Sequence, residues 1–358
     1  MSLGFPIKSN KNEKIKEKMF YRKIMITEFG GPEVLQIVTC NNLPEPMSGQ
    51  VRIKVLAASV TFTDTLIRRG IYPSVRKGNL PLTPGYDLVG IVDALGEGVE
   101  NIGIGQRIAQ LTVTGAYTEY ICLDAETLVP VPDGIRDEQA ISLVLTYVAA
   151  YQLLHRVAKV QFGQTVFIHA VGGAVGKALV QLGMIMNLKM YGTASLHHEE
   201  FIGHSGVQTI DYKTEDFEQI LKEKEPQGVD AVFDPIGGIQ LEKSLRILNK
   251  SGTLVDFGFQ GMAQGKEGSV YLDFIKVLIW KILPWFPNAA FYDITAYKKR
   301  NPKFFTEDLQ NLFQLLKDGK IKPNISKIVS FEGIQEAHRL VEQGKTSGKV
   351  ILKPSSSQ

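Results

Sequence analysis

The sequence predicts an α/β protein of two domains, and three observations carry that prediction. A mostly-β texture runs from Ile24 to about Leu145. Strands alternate with helices from Gln164 onward. A glycine-rich turn stands where the second pattern begins. At 358 residues the chain has room for two domains of the usual ~100–200 residues. With 44% hydrophobic and 22% charged residues it can bury a large core, which excludes wholesale disorder. A net charge of +3 offers no electrostatic footprint for nucleic acid. Two cysteines exclude a disulfide scaffold or a Cys-rich metal cluster and point to a reducing, cytoplasmic compartment.

The first twenty residues carry Lys8, Lys11, Lys14, Lys16 and Lys18 but no apolar run of signal-peptide length. They read as a solvated, flexible extension (1–20), without the aromatic platform that single-stranded nucleic acid would stack on. Short strands broken by Gly and Pro follow: QVRIKVLAASV from Gln50, GIVDALGEGV from Gly90 and AYTEYICL from Ala116. From Thr165 the order is strand TVFIHA, helix Ala174 to Met186, and strands KMYGTA, VQTIDY, VDAVFD and TLVDFG. Helices FEQILKEK and LEKSLRIL lie between the later strands. That alternation implies a parallel sheet covered on both faces. A helix DLQNLFQLLKDG and a strand GKVILKP close the chain. The most apolar stretch, Val270 to Pro287, is interrupted by Asp273, Lys276 and Lys281 and fails as a transmembrane segment. It reads as a buried or interface helix.

The turn HAVGGAVGKALVQL, His169 to Leu182, follows a strand and opens a helix, as a dinucleotide-binding loop must. Gly172, Gly173 and Gly176 let backbone approach a pyrophosphate, and Ala174 and Val175 begin a helix whose free N–H groups favour anions. Ala170 stands where the common fingerprint has its first glycine. The next strand ends at Thr193 and Ser195, followed by His197 and His198, with no carboxylate before Glu199. NAD enzymes place an acid there, so hydroxyls and imidazoles favour a 2′-phosphate, and NADP(H) over NAD.

These residues, with FGGPEVLQ (from Phe29), TFTDTLIRRGIYP (from Thr61), PLTPGYDLVGIV (from Pro81), GAYTEY (from Gly115) and the closing GKVIL, carry a resemblance. The chain resembles the zinc-independent quinone oxidoreductase branch of the medium-chain dehydrogenase/reductases from about Ile24 to Pro354. The resemblance implies a chaperonin-10 (GroES)-like β-barrel catalytic domain, built from both chain ends around an inserted Rossmann domain with a doubly wound parallel sheet. The expected division is 21–145 and 296–358 for the catalytic domain and 146–295 for the NADP-binding domain, with an apolar insert at 262–295.

Zinc-dependent relatives have a cysteine where Thr61 stands and a Gly-His-Glu motif where this chain has Gly85-Tyr86-Asp87, so no metal is expected. The family implies hydride transfer from NADPH to a quinone or an α,β-unsaturated carbonyl, since a conjugated acceptor spreads negative charge without a Lewis acid. Tyr72 is the candidate polar wall of the acceptor pocket, or a tyrosine packed with its hydroxyl on backbone. Asp64 orients the segment or caps its helix. The family asparagine is replaced by Thr61 and a family tyrosine by Leu66. For the cofactor, the resemblance places Thr146 near the nicotinamide phosphates, Thr193 and Ser195 at the 2′-phosphate, Tyr212 beside the adenosine ribose, and Phe257 and Gly258 against the nicotinamide. His198 joins the 2′-phosphate set from its position after the second strand. The apolar insert reads as an interface helix of a homodimer or a lid over a bulky substrate. The rival reading is an NADPH-binding partner- or membrane-associated protein with little turnover.

Overall fold

The structure is a computed structural model that describes residues 19–194, 205–258, 270–283 and 285–354. The expected extension lies outside the described residues except for Met19 and Phe20. Strands β1 (Phe20–Met25) and β2 (Gln36–Asn41) form an antiparallel pair. A long strand β3 (Gln50–Val60) runs into helix α1 (Phe62–Arg68), and β4 (Asp87–Leu95), β5 (Arg107–Leu111), β6 (Tyr120–Asp124) and β7 (Val129–Pro130) follow. Helix α2 (Asp137–Val157), with π-helical turns at Leu143–Tyr147 and Gln152–Val157, leads into the second sheet.

The elements of that sheet are β8 (Thr165–Ile168), α3 (Ala174–Ile185), β9 (Lys189–Ala194), β10 (Gln208–Asp211), α4 (Phe217–Lys224), β11 (Val229–Asp234), α5 (Ile239–Arg246), β12 (Leu248–Asp256), α6 (Val270–Ile282) and β13 (Asn288–Phe291). Strands alternate with helices except between β9 and β10, where residues 195–204 lie outside the described residues. Helices α7 (Ile294–Arg300) and α8 (Pro302–Lys317) precede β14 (Ile325–Val329), α9 (Ile334–Glu342) and β15 (Lys349–Leu352).

Six strands make an all-parallel sheet in the order β10-β9-β8-β11-β12-β13. The order reverses between β8 and β11, which opens a crevice beyond the strand C-termini where dinucleotides bind in such sheets. The other sheet runs β14-β15-β3-β4-β5-β7, with β6 also paired to β3. Because β15 pairs with β3, that sheet joins segments from before and after the Rossmann sheet, which is inserted between them. The fold is therefore the two-domain architecture expected, a GroES-like domain around a Rossmann domain.

Strands β8 and β11 are nearly continuous runs of buried Val, Ile, Phe and Ala, because helices cover both faces of their sheet. Helix α4 starts where the Asp216 side chain accepts from Glu218 N (2.9 Å) and buries Phe217 and Leu221 on one face. One apolar cluster joins the domains, running from Ala57, Leu66, Tyr72 and Tyr86 through Tyr147 and Val148 to Val166, Ile168 and Leu179. Most of α2 is buried in this joint, so its length and apolar character reflect a core helix.

Two expectations need correction. The stretch read as an insert supplies regular sheet structure, since α6 crosses over and β13 is the sixth strand. Of the two readings of this helix, buried or at an interface, the first does not hold for α6. Asp273, Val277 and Trp280 face inward at i, i+4 and i+7, whereas Leu272, Phe274, Ile275, Leu278, Ile279 and Ile282 are exposed. Its apolar residues exceed the face that one sheet can cover.

Candidate active site

At the end of β8 the chain turns on Ala170, whose φ of 54° lies in the left-handed region. Gly173 N donates to Ala170 O (2.9 Å), and α3 begins at Ala174 with Gly173 as an N-cap that has no side chain to offer. A Cβ at Gly176 would stand 2.3 Å from Ala170 O, and one at Gly192 2.4 Å from Ile168 O. Glycine is thus required for helix, turn and neighbouring strand to pack this closely. The first-turn N–H groups of α3 remain uncapped at the positive end of the helix dipole, which suits a diphosphate. Gly172, Gly173, Ala174, Val175 and Gly176 all lie in this turn, so the residues present fit a dinucleotide.

Behind the turn lies a directional hydrogen-bond chain. The Ser244 hydroxyl donates to Asp234 Oδ2 (2.9 Å), which leaves its oxygen to accept from His169 Nε2 (2.9 Å). His169 Nδ1 then accepts from the Thr193 hydroxyl (3.2 Å), whose oxygen accepts Ala170 N–H (3.1 Å). Burial lowers the His169 pKa and holds the ring neutral, as the chain requires. Thr193 is 4% exposed and spends its hydroxyl on this brace. The structure thus turns Thr193 inward, away from the role expected at a 2′-phosphate. Ser195 and His198 lie outside the described residues. Tyr212 is 55% exposed just beyond β10, and Thr146 is buried in the first π-helical turn of α2. Beyond β12, Phe257 N donates to Asp234 O (3.0 Å) and Gly258 N to Asp256 Oδ1 (3.3 Å). Both residues are half-buried at the crevice end of the sheet.

On the opposite side, Thr61 and Asp64 form a capping box on α1. Asp64 N donates to Thr61 Oγ1 (3.3 Å), and Thr61 N to Asp64 Oδ2 (2.9 Å). Asp64 is inaccessible, and burial pushes its pKa up to about 7. Of the two roles considered for Asp64, the geometry is that of the cap. Tyr72 Oη meets Tyr86 Oη at 2.7 Å, and Tyr86 Oη meets Thr295 Oγ1 at 2.7 Å. The Tyr72 hydroxyl therefore lies on another side chain, not on backbone. Lys298, also on α7, reaches Leu111 O (3.1 Å) and Gln110, and burial lowers its pKa to about 8.

Sequence reasoning missed Tyr86, Thr295 and Lys298 as neighbours of this side. The signal available for Tyr86 was its place in Gly-Tyr-Asp. Nothing local marked Thr295 or Lys298. The donor set does not fit zinc. The Thr61 hydroxyl is bonded to Asp64, Tyr86 to Tyr72 and Thr295, and among the described residues no three His, Cys, Asp or Glu converge on a metal position.

Comparison with known proteins agrees with this geometry. The family model for the alcohol dehydrogenase GroES-like domain matches residues 47–133, and that for zinc-binding dehydrogenases matches 206–352. The chain is 30% identical over 342 residues to the synaptic vesicle membrane protein VAT-1 homolog of Rattus norvegicus, across 93% of this chain and 84% of that protein. It is 28% identical over 338 residues to the quinone oxidoreductase of Lama guanicoe, across 92% and 97%. The Escherichia coli quinone oxidoreductase complexed with NADPH superposes with a TM-score of 0.81 at 28% identity, across 93% of this chain and 100% of that one. Fold and turn together define an oxidoreductase built to hold a nicotinamide dinucleotide. The chain belongs to the medium-chain dehydrogenase/reductase superfamily, in its quinone oxidoreductase-type branch.

Proposed function

We propose that the protein is a zinc-independent reductase that uses NADPH to reduce a quinone or an α,β-unsaturated carbonyl compound. The observation that carries this reading is Tyr86. Its hydroxyl is hydrogen-bonded to Tyr72, and by the resemblance Gly85-Tyr86-Asp87 takes the place of the Gly-His-Glu that carries a histidine ligand in zinc enzymes of the superfamily. When bound, the reduced nicotinamide supplies the hydride. The α3 N-terminus, through Ala174, Val175 and Gly176, holds the diphosphate. Thr146, Phe257 and Gly258 border the nicotinamide, and Tyr212 flanks the adenosine ribose. Ser195 and His198 are the proposed 2′-phosphate contacts. A conjugated acceptor moves charge away from the carbon that takes hydride, so a hydroxyl such as that of Tyr72 suffices where a saturated ketone would need a metal.

The uncharged edge strand β13, flanked by α6, fits a homodimer in which two such edges meet, because unprotected edges recruit further strands. Two free cysteines suit a reducing, cytoplasmic setting.

The test is NADPH oxidation against a panel of quinones and conjugated enals, repeated with NADH and with a chelator. Chelator-insensitive oxidation that needs the acceptor and prefers NADPH supports the reading. Tight NADPH binding with no turnover on any acceptor overturns it.

A second reading rests on the exposed apolar face of α6 and on relatives named as vesicle membrane proteins. In it the chain binds NADPH, turns over little, and associates with a partner or a membrane. Flotation with lipid vesicles in the absence of turnover would favour it.

A further inference from the structure

We infer that Thr295, Tyr86 and Tyr72 form a hydroxyl relay that delivers the proton completing the reduction, with Tyr72 at the substrate end and Tyr86 and Thr295 as positioning residues. The inference rests on the reductase reading above and supplies what that reading lacks, a route for the proton.

The Tyr72 and Thr295 hydroxyls each stand 2.7 Å from that of Tyr86, and the two tyrosine rings meet edge to face at 6.0 Å. The middle hydroxyl belongs to a side chain 1% exposed, whereas Tyr72 keeps 9% exposure and Thr295 is half-buried. A buried hydroxyl has no water to exchange with, so its proton moves along the chain or not at all. Each hydroxyl carries one hydrogen. If Thr295 donates to Tyr86, Tyr86 donates to Tyr72, and the Tyr72 hydrogen is left for an incoming acceptor.

The step balances without any group beyond the cofactor class already named. Hydride and its electron pair pass from the reduced nicotinamide to carbon, leaving an enolate or a hydroquinone anion. The Tyr72 O–H bond breaks as its proton bonds to that anion. Tyr72 oxygen takes the Tyr86 proton, Tyr86 takes that of Thr295, and Thr295 takes one from a solvent water, whose hydroxide is neutralised by the bulk buffer. All three hydroxyls end neutral. Burial raises the pKa of both tyrosines, and Asp293 faces both, with Asp64 also acting on Tyr72. Neither tyrosine therefore rests as an anion, and a chain that moves its protons together avoids making one.

The backbone holds the middle link in place. Tyr86 O accepts both Thr112 N and Val113 N at 2.9 Å, with Val113 at φ 71°, a strained conformation for a β-branched residue. The preceding Gly85 has φ 108°, and a Cβ there would stand 2.6 Å from Tyr117 N. Thr295 is fixed from the other domain, because Asp293 caps α7 through Ala296 N (2.6 Å) and Lys298 ties the same helix to Leu111 O. The relay is complete only with both domains together.

The experiment compares wild type with Tyr86→Phe, Thr295→Val and Thr295→Ser. Removing a link should lower kcat on the order of 10- to 100-fold, within the range for general acid catalysis, with KM for NADPH within about twofold. Thr295→Ser keeps the hydroxyl and should restore kcat. Rates in H2O–D2O mixtures should curve for wild type, with several protons in flight, and become linear in Tyr86→Phe and Thr295→Val. A readout without turnover is the absorbance of added 4-nitrophenol, whose ionisation should shift in wild type and Thr295→Ser and shift less in Thr295→Val, where the chain behind Tyr72 is one hydroxyl shorter. Wild-type kcat with an unchanged curve in Thr295→Val overturns the relay, as does one nitrophenol spectrum common to all the proteins. Should wild type reduce no acceptor, the reductase reading fails and the nitrophenol spectra still decide the relay. Should Tyr86→Phe not fold, the Thr295 pair decides alone.

Discussion

Gly176 lies directly against Ala170, with its Cβ position 2.3 Å from the Ala170 carbonyl oxygen. One residue therefore has to lack a side chain, while the other accepts a left-handed φ of 54° that L-residues avoid. Gly176→Ala should cost about 2 kcal/mol or more through overpacking and abolish measurable nucleotide binding. Ala170→Gly should be neutral or stabilise by up to about 1 kcal/mol and leave binding intact. Chemical denaturation and NADPH fluorescence titration check both.

His338 is buried in the GroES-like domain, edge-on to Tyr117 at 5.9 Å, and neither ring nitrogen has a hydrogen-bond partner among the described residues. Burial lowers its pKa to about 3. Between that value and the ordinary 6.5, the unfolded chain binds a proton that the folded chain refuses, so stability falls as pH drops through this window. The loss is at most about 1.4 kcal/mol per pH unit. His338→Phe keeps an aromatic ring and should flatten the acid limb. Denaturation midpoints from pH 7 to pH 4 would show no flattening if the ring were charged in the folded state.

Asp64 gives the opposite slope. Its folded pKa of about 7 exceeds the ordinary carboxylate value, so the native state holds a proton that the unfolded chain has released. Stability is lost as pH rises from about 4 to about 7. Asp64→Asn removes that titration. The variant should gain on wild type with rising pH through this window and level off above it, as read from melts at pH 5, 6, 7 and 8.

Helix α6 has two faces that should respond differently. Val277 and Trp280 face the sheet, and Val277→Asp should cost about 3 kcal/mol or more by burying an unpaired carboxylate. Ile282, 69% exposed, tolerates Ile282→Glu within about 0.5 kcal/mol. Leu278→Glu with Ile282→Glu should also weaken the proposed self-association. Melting curves and sedimentation velocity separate the two effects.

Several elements were legible from local sequence with little error. β3, β9, β11 and α4 have the bounds that their residue patterns predict. Each is a short period-2 or period-3.6 segment closed by turn residues, so its own chemistry sets its ends. Helix α2 was not legible, because a run such as SLVLTYVAAYQLL is apolar all round and carries no stripe to reveal a period. Strand β13 was hidden too, four residues without a β-branched side chain inside a stretch that reads as an insert.

At the site, the glycine turn declared itself because close backbone approach can be met by only one residue type. Thr193 shows the limit of that logic, since a hydroxyl at a strand end serves a ligand or a brace equally well until its neighbours are known. The sequence by itself determined the class of fold, the dinucleotide turn and the absence of zinc ligands at the two family positions, all properties of residue type and short spacing. Only the tertiary structure decided that the hydroxyls of Tyr72 and Thr295, more than two hundred residues apart, both meet that of Tyr86, and that the apolar surplus of α6 faces outward. Both are relations between segments far apart in the chain, set by how the sheets and their covering helices pack and invisible to any local period.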